Sequence, residues 1–172
     1  MPTFHRASPM PVPVDVLEAW HARPAAFERL APPWTDVRVK ARTGGITAGD
    51  LTDGTLTFAI HQGPLSLTWV ADHGPAPDGR GFTDTQRSGP FARWQHVHRF
   101  LAGPDGTSIL DDTVAYDLPG GPIGALVGGA IGRAEVVRMF AFRHARTALD
   151  LARLAWSAHR GPQRILISGA SG

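Results

Sequence analysis

A chain of 172 residues without a cysteine has room for one domain with its own core, and it excludes disulfide frameworks, thiolate nucleophiles and thiolate metal sites. The formal net charge is only +2, and the 17 basic residues, all arginine but Lys40, are scattered among 15 acids, so no basic patch marks a nucleic-acid surface. The longest apolar stretch, residues 123–131, is too short and too rich in glycine to span a bilayer, and the amino-terminal residues have no signal-peptide core, so a cytoplasmic protein is expected.

Residues 3–8 read as a short first strand, and the proline-rich residues 9–13 turn the chain. Residues 15–22 have helical spacing, with Val14, Leu17 and Trp20 available for one face. Pro24 can open a second short helix through Leu30, because proline suits a first helical turn, and Pro32-Pro33 ends it. Six segments of alternating polarity follow, at 36–42, 55–61, 65–71, 82–88, 93–101 and 107–117, punctuated by Gly63-Pro64, Gly89-Pro90 and Pro104-Asp105-Gly106. After Leu118-Pro119 comes a glycine-rich stretch, residues 120–132, and then a long helix over about 134–159. The glycine-rich stretch reads either as a mobile lid carrying Ile123, Leu126, Val127 and Ile131 to an apolar ligand, or as a plain connector. Only the last helix is long enough to cover the apolar face of such a sheet. The expected fold is therefore α+β, a curved antiparallel sheet of about seven strands around a long carboxy-terminal helix, with two short helices after the first strand.

Alternation places Trp94, His96, His98 and Phe100 on one face, and the aromatic ends of that set mark it as the inward one. Phe82, Asp84 and Gln86 share a face on the strand before, and Leu110, Asp112, Val114 and Tyr116 on the strand after. The simplest hairpin registers set Asp84 opposite His96 and His96 opposite Asp112, and opposed residues sit about 4.5–5.5 Å apart at Cβ. The expected result is an inward Asp84–His96–Asp112 row with Gln86 and His98 beside it. On the last helix Val136, Met139, Phe140, Thr147, Leu151 and Leu154 fall in one sector, with Arg143 near its middle. A buried arginine is costly unless paired, so Asp84, Asp112 or a ligand carboxylate is its expected partner. His96 and His98 with one acid could ligate zinc, but no further ligand is at hand outside the loops, and no metal is expected. His5, His61 and His73 have no ligand spacing and read as ordinary surface residues. A second helical seam, Phe142, Leu149 and Trp156, recurs every seven residues away from the buried sector and reads as a docking face.

The run Phe82-x-Asp84-x-Gln86-x-x-Gly89-Pro90-Phe91-x-x-Trp94-x-His96-x-His98-x-Phe100, followed by Asp112-x-Val114-x-Tyr116-x-Leu118-Pro119 and Met139-Phe140-x-x-Arg143, resembles a branch of the START-like, or SRPBCC, superfamily. That resemblance implies a helix-grip fold with a cavity between the sheet and the last helix. The branch is the one found in front of an atypical short-chain dehydrogenase/epimerase domain, in proteins loosely labelled cell-division inhibitors. Lipid carriers and polyketide cyclases belong to the same superfamily.

The function expected is binding of a small hydrophobic or amphipathic molecule. Trp69, Phe82, Trp94, Phe100, Val114 and Tyr116 would supply apolar wall, and Asp84, Gln86, His96, His98, Asp112 and Arg143 the few placed polar groups. One alternative is a cyclase- or hydrolase-like enzyme using His96, its pKa raised by Asp84 and Asp112, as acid or base. Another is a non-catalytic module that docks a dehydrogenase domain or a second copy of itself through Phe142, Leu149 and Trp156. No Gly-x-Ser-x-Gly elbow or Walker loop offers other catalysis. The domain is expected to span 1–160. Residues 161–172, with the run Ile165-Leu166-Ile167-Ser168-Gly169-Ala170-Ser171-Gly172, resemble the entry strand and phosphate loop of a dinucleotide-binding domain. The third glycine, the pyrophosphate-binding helix and the ribose-binding acid are missing, so no NAD(P) or other cofactor is expected on this chain.

Overall fold

The computed structural model describes residues 2–161, with the side chains of residues 62, 121–128, 130 and 131 outside the description. All but the first residue of the expected tail, 161–172, and the side chains of the expected lid therefore lie outside the described residues.

Strand β1 (Thr3–Met10) leads into helices α1 (Val14–His21) and α2 (Ala26–Leu30). Strands β2 (Asp36–Thr43), β3 (Gly54–Gln62), β4 (Leu65–Pro75), β5 (Gly81–Ser88), β6 (Arg93–Ala102) and β7 (Ser108–Asp117) follow, then helix α3 (Gly121–Ser157). All pairings are antiparallel, in the order β1-β7-β6-β5-β4-β3-β2. The expected seven strands, two short helices and long last helix are all present.

Two boundaries differ from expectation by more than two residues. Strand β4 runs four residues further, to Pro75, because β5 continues to pair with it as far as Phe82. Helix α3 begins at Gly121 and takes in the glycine-rich stretch. Gly120, at φ 85°, makes the left-handed turn out of β7, and a proline follows in the first helical turn where its missing N–H costs nothing. The stretch is thus the opening of the helix rather than a connector before it.

Period-two alternation buries Trp94, His96, His98 and Phe100 on β6 and Leu110, Asp112, Val114 and Tyr116 on β7. Gly81 starts β5 at φ 146°, and a Cβ there would meet the His98 carbonyl oxygen at 1.9 Å. Glycine is what lets β5 lie against β6 at this point, and so fixes Asp84 opposite His96.

The core is apolar at both ends and polar across its middle. One cluster gathers Phe58, Trp69, Trp94, Val114, Tyr116 and Phe140, and the other gathers Met10, Leu17, Trp20, Phe82, Phe100 and Leu151. Between them, on β5, β6, β7 and α3 in turn, come Asp84, His96 with His98, Asp112, and His144 with Thr147. On α3 the stripe Val136, Phe140, His144, Thr147, Leu151 steps by three or four residues, the spacing of one helical face. No helix of the described residues is long and apolar enough to cross a membrane.

The expected docking seam is only partly open. Phe142 meets Trp34 edge-on at 5.5 Å, whereas Leu149 and Trp156 are 46% and 61% exposed. The Arg160 guanidinium lies 3.5 Å above the Trp156 ring.

Candidate functional site

The polar belt is a network of two carboxylates and three imidazoles. Asp84 accepts a hydrogen bond from Trp94 Nε1 at 3.0 Å on one oxygen, and its other oxygen lies 2.9 Å from His96 Nδ1 and 3.5 Å from His98 Nε2. Asp112 bonds His144 Nε2 through one oxygen at 2.9 Å. Its other oxygen is shared by His98 Nδ1 at 2.9 Å and His96 Nε2 at 3.3 Å, neither aligned as a hydrogen bond. The His96 and His98 rings are 3.7 Å apart at their centroids, and Phe82 stacks on His98 at 4.1 Å.

The row differs from the expected one by its register. Asp84 does pair with His96, but His96 sits across from Val114, and Asp112 sits across from His98. The β6–β7 hairpin closes at Ala102 and Ser108, with Asp105 and Gly106 at positive φ in its loop. This displaces the pairing by two residues. A shift of two keeps every side chain on its face, so the inward set survives and only the neighbours change.

Arg143 is likewise not where its expected pairing would put it. It makes no ion pair with Asp84 or Asp112; its Nε donates to the Leu30 carbonyl at 3.3 Å. The helical partner of Asp112 is His144, one position on, which sequence reasoning missed. The Phe140, Thr147, Leu151 spacing admits His144 and Arg143 alike, so it does not choose between them. His21 and His73 were missed as well. His21 is buried, with Nδ1 2.9 Å from the Leu17 carbonyl oxygen and its ring 4.9 Å from that of Phe100. His73 is half-buried rather than an ordinary surface residue: it stacks on Phe82 at 5.2 Å and bonds the Leu51 carbonyl. His5 is exposed as expected and pairs with Asp111.

Burial alone would push the His96 pKa down, but the carboxylates of Asp84 and Asp112 outweigh it and raise the pKa to about 9. For Asp84, burial pushes up while His96 and His98 pull down, and the net is well below the ordinary carboxylate range. Asp112 follows the same pattern under His98, His96 and the His144 hydrogen bond. Burial drops the His21 pKa to about 4. Asp84, His96 and His98 bring one ligand-type atom each within 4.8 Å of one another, the composition of a loose metal set, and their close contacts are already with each other.

A cavity of about 500 Å³ opens beside this belt, between the sheet, α1–α2 and α3. Its walls are largely apolar and include Phe27, Phe58, Trp69, Phe82, Trp94 and Met139. Asp84, His98 and Arg143 supply polar groups from the belt side. Of the expected ligand-binding set, Trp69, Phe82, Asp84, Trp94, His98 and Arg143 line the cavity. His96, Phe100, Asp112 and Tyr116 are buried behind it. Gln86 turns away to bond the backbone of Phe91, closing the β5–β6 loop.

Residues 10–142 match the family described as polyketide cyclase / dehydrase and lipid transport. The chain belongs to that family. Among solved structures, a nucleoside-diphosphate sugar epimerase from Corynebacterium glutamicum is similar at 28% identity and TM-score 0.69, over 91% of this chain. The match takes up only 30% of that longer protein. The Zhui aromatase/cyclase from Streptomyces sp. R1128 matches at 15% identity and TM-score 0.69, over 91% of this chain and 97% of the other. A START superfamily protein from Mycobacterium smegmatis matches at 12% identity and TM-score 0.59, over 87% and 98%. Identities this low speak to fold alone, and the fold is the START-like helix grip. None of the curated proteins matches the sequence.

Proposed function

We propose that the chain binds a small hydrophobic or amphipathic molecule in the cavity between sheet and α3. The observation that carries this is the cavity itself: about 500 Å³ of apolar-walled space with Asp84, His98 and Arg143 contributing from one side. Ligand sites of this kind are mostly apolar, with a few polar groups that orient the guest. The uncharged fluorophore N-phenyl-1-naphthylamine should bind with a saturable rise in emission at one site. Ala71 is buried on the cavity wall. Its replacement in Ala71→Leu fills part of the space and should weaken the probe about tenfold or more, while the melting curve shows the variant folded. Equal affinity in the variant, or emission that never saturates, would put the probe elsewhere and remove the proposal's support.

Acid/base chemistry by His96 is the less favoured reading. Its ring is fully buried, and of the acids and histidines of the belt only Asp84 and His98 line the cavity. The Corynebacterium relative supports a finer placement, as the front module of an epimerase-type protein, because a similar domain there is one part of a longer chain. Sequencing the coding region past the Gly172 codon tests this. A frame continuing into a dinucleotide-binding domain is expected, and an immediate stop codon overturns it.

A further inference from the structure

We infer that the cavity's guest is an acid, an apolar molecule whose carboxylate is gripped by Arg143. This rests on the binding reading above and adds the chemistry of the head group. Arg143 projects from α3 into the cavity wall. Its side chain makes one long hydrogen bond, from Nε to the Leu30 carbonyl at 3.3 Å, and lies against the Phe140 ring, 5.5 Å from Cζ. No carboxylate of the described residues lies within ion-pair distance of it, and the nearby ones are engaged. Asp84 is held by Trp94 and His96, and Asp112 by His144 and His98. On the cavity rim Glu135 pairs with Arg138, and Arg42 occupies both oxygens of Glu28.

A guanidinium offers five donors in a flat fork, and here the terminal nitrogens have no acceptor among these groups. Burial lowers the Arg143 pKa, and the charges of Asp84 and Asp112, neither within ion-pair distance, offset this only in part. The group that best fills an open guanidinium fork is planar and anionic with two oxygens, which is a carboxylate. The rest of the guest is set by the walls. Phe27, Phe58 and Trp69 form a continuous run of rings at 4.8 and 5.5 Å, a surface for a flat or flexible hydrocarbon body. Hydroxylated or cationic guests would leave the fork unfilled or oppose it.

The test is displacement of N-phenyl-1-naphthylamine by dodecanoate and by its methyl ester at pH 7.5. In the unaltered protein dodecanoate should compete about tenfold more strongly than the ester, the scale of a charge-assisted bond. In Arg143→Gln the two should compete alike, with the ester unchanged. In Arg143→Lys, a point charge without the fork, part of the preference should remain. Acid and ester competing equally in the unaltered protein would overturn the inference and leave the binding reading standing. So would a bound probe that neither compound displaces. A probe that does not bind at all would defeat the binding reading, and the inference with it. The comparison in the unaltered protein decides the matter even if the variants fail to fold.

Discussion

Asp112→Ala should destabilise the protein by about 3–5 kcal/mol, the cost of removing one partner from a buried charged pair. Asp112 is 2% exposed and stands 2.9 Å from His144, 2.9 Å from His98 and 3.3 Å from His96. Among the described residues it is the one group that ties α3 to the sheet through polar contact in the middle of the core. Without it His96 keeps only Asp84 as counter-charge, and His144 loses its sole bond, its Nδ1 being already unpartnered. Urea unfolding at pH 7 measures the loss directly, and in a domain of this size the melting temperature should fall by about 10 °C or more. Asp112→Asn keeps the acceptor and the shape but not the charge, and should cost less than the alanine. The adjacent Asp111 is the control. It points to the other face and pairs with an exposed His5, so Asp111→Ala should cost no more than about 1 kcal/mol. An Asp112→Ala variant as mild as Asp111→Ala would mean that apolar packing holds α3 unaided.

The belt also marks the limit of what the sequence could reveal. Period-two alternation was enough to put Trp94, His96, His98 and Phe100 on one face, because strand geometry leaves no other choice. Which residue faces which depended on the β6–β7 loop, where Asp105 in the left-handed region moves the pairing by two. Local composition marked a turn there but not its closing pair. On α3 the choice between Arg143 and His144 is one of 100° about the helix axis. It is settled by how the helix lies across the sheet, a tertiary property with no local signature. The cavity is harder still, since it is the space that side chains from β2–β6 and three helices fail to fill. His73 looked like a surface residue because burial by Phe82 and the Leu51 carbonyl comes from partners distant along the chain.

Stability should peak near pH 6.5 and fall on both sides, with His96 behind the alkaline limb and His21, joined by His73, behind the acid one. His96 is raised from an ordinary 6.5 to about 9, so the folded state holds its proton harder than the unfolded chain does. That contribution is complete below pH 6.5 and is lost as the pH climbs through about 9. At about 1.4 kcal/mol per pKa step it is worth on the order of 3 kcal/mol. His21 works in the opposite sense. Burial drops it to about 4, so the folded state keeps it neutral while the unfolded chain takes up a proton below 6.5. Its contribution is present above pH 6.5 and drains away toward pH 4, again on the order of 3 kcal/mol. Asp84 and Asp112 titrate lower in the folded state than their ordinary 3.8, so their own loss begins only as the pH falls toward that value, at the foot of the acid limb. Urea unfolding from pH 4 to 10 should trace the dome. His96→Gln should lower its height and flatten the alkaline side, leaving the acid side sloping. His21→Leu, which suits the apolar contact with Phe100 and Trp20, should remove most of the acid slope down to about pH 4.5 and leave the part that His73 carries. If the alkaline slope survives intact in His96→Gln, the proton lost there belongs to another group, and the two carboxylates do not hold His96 charged.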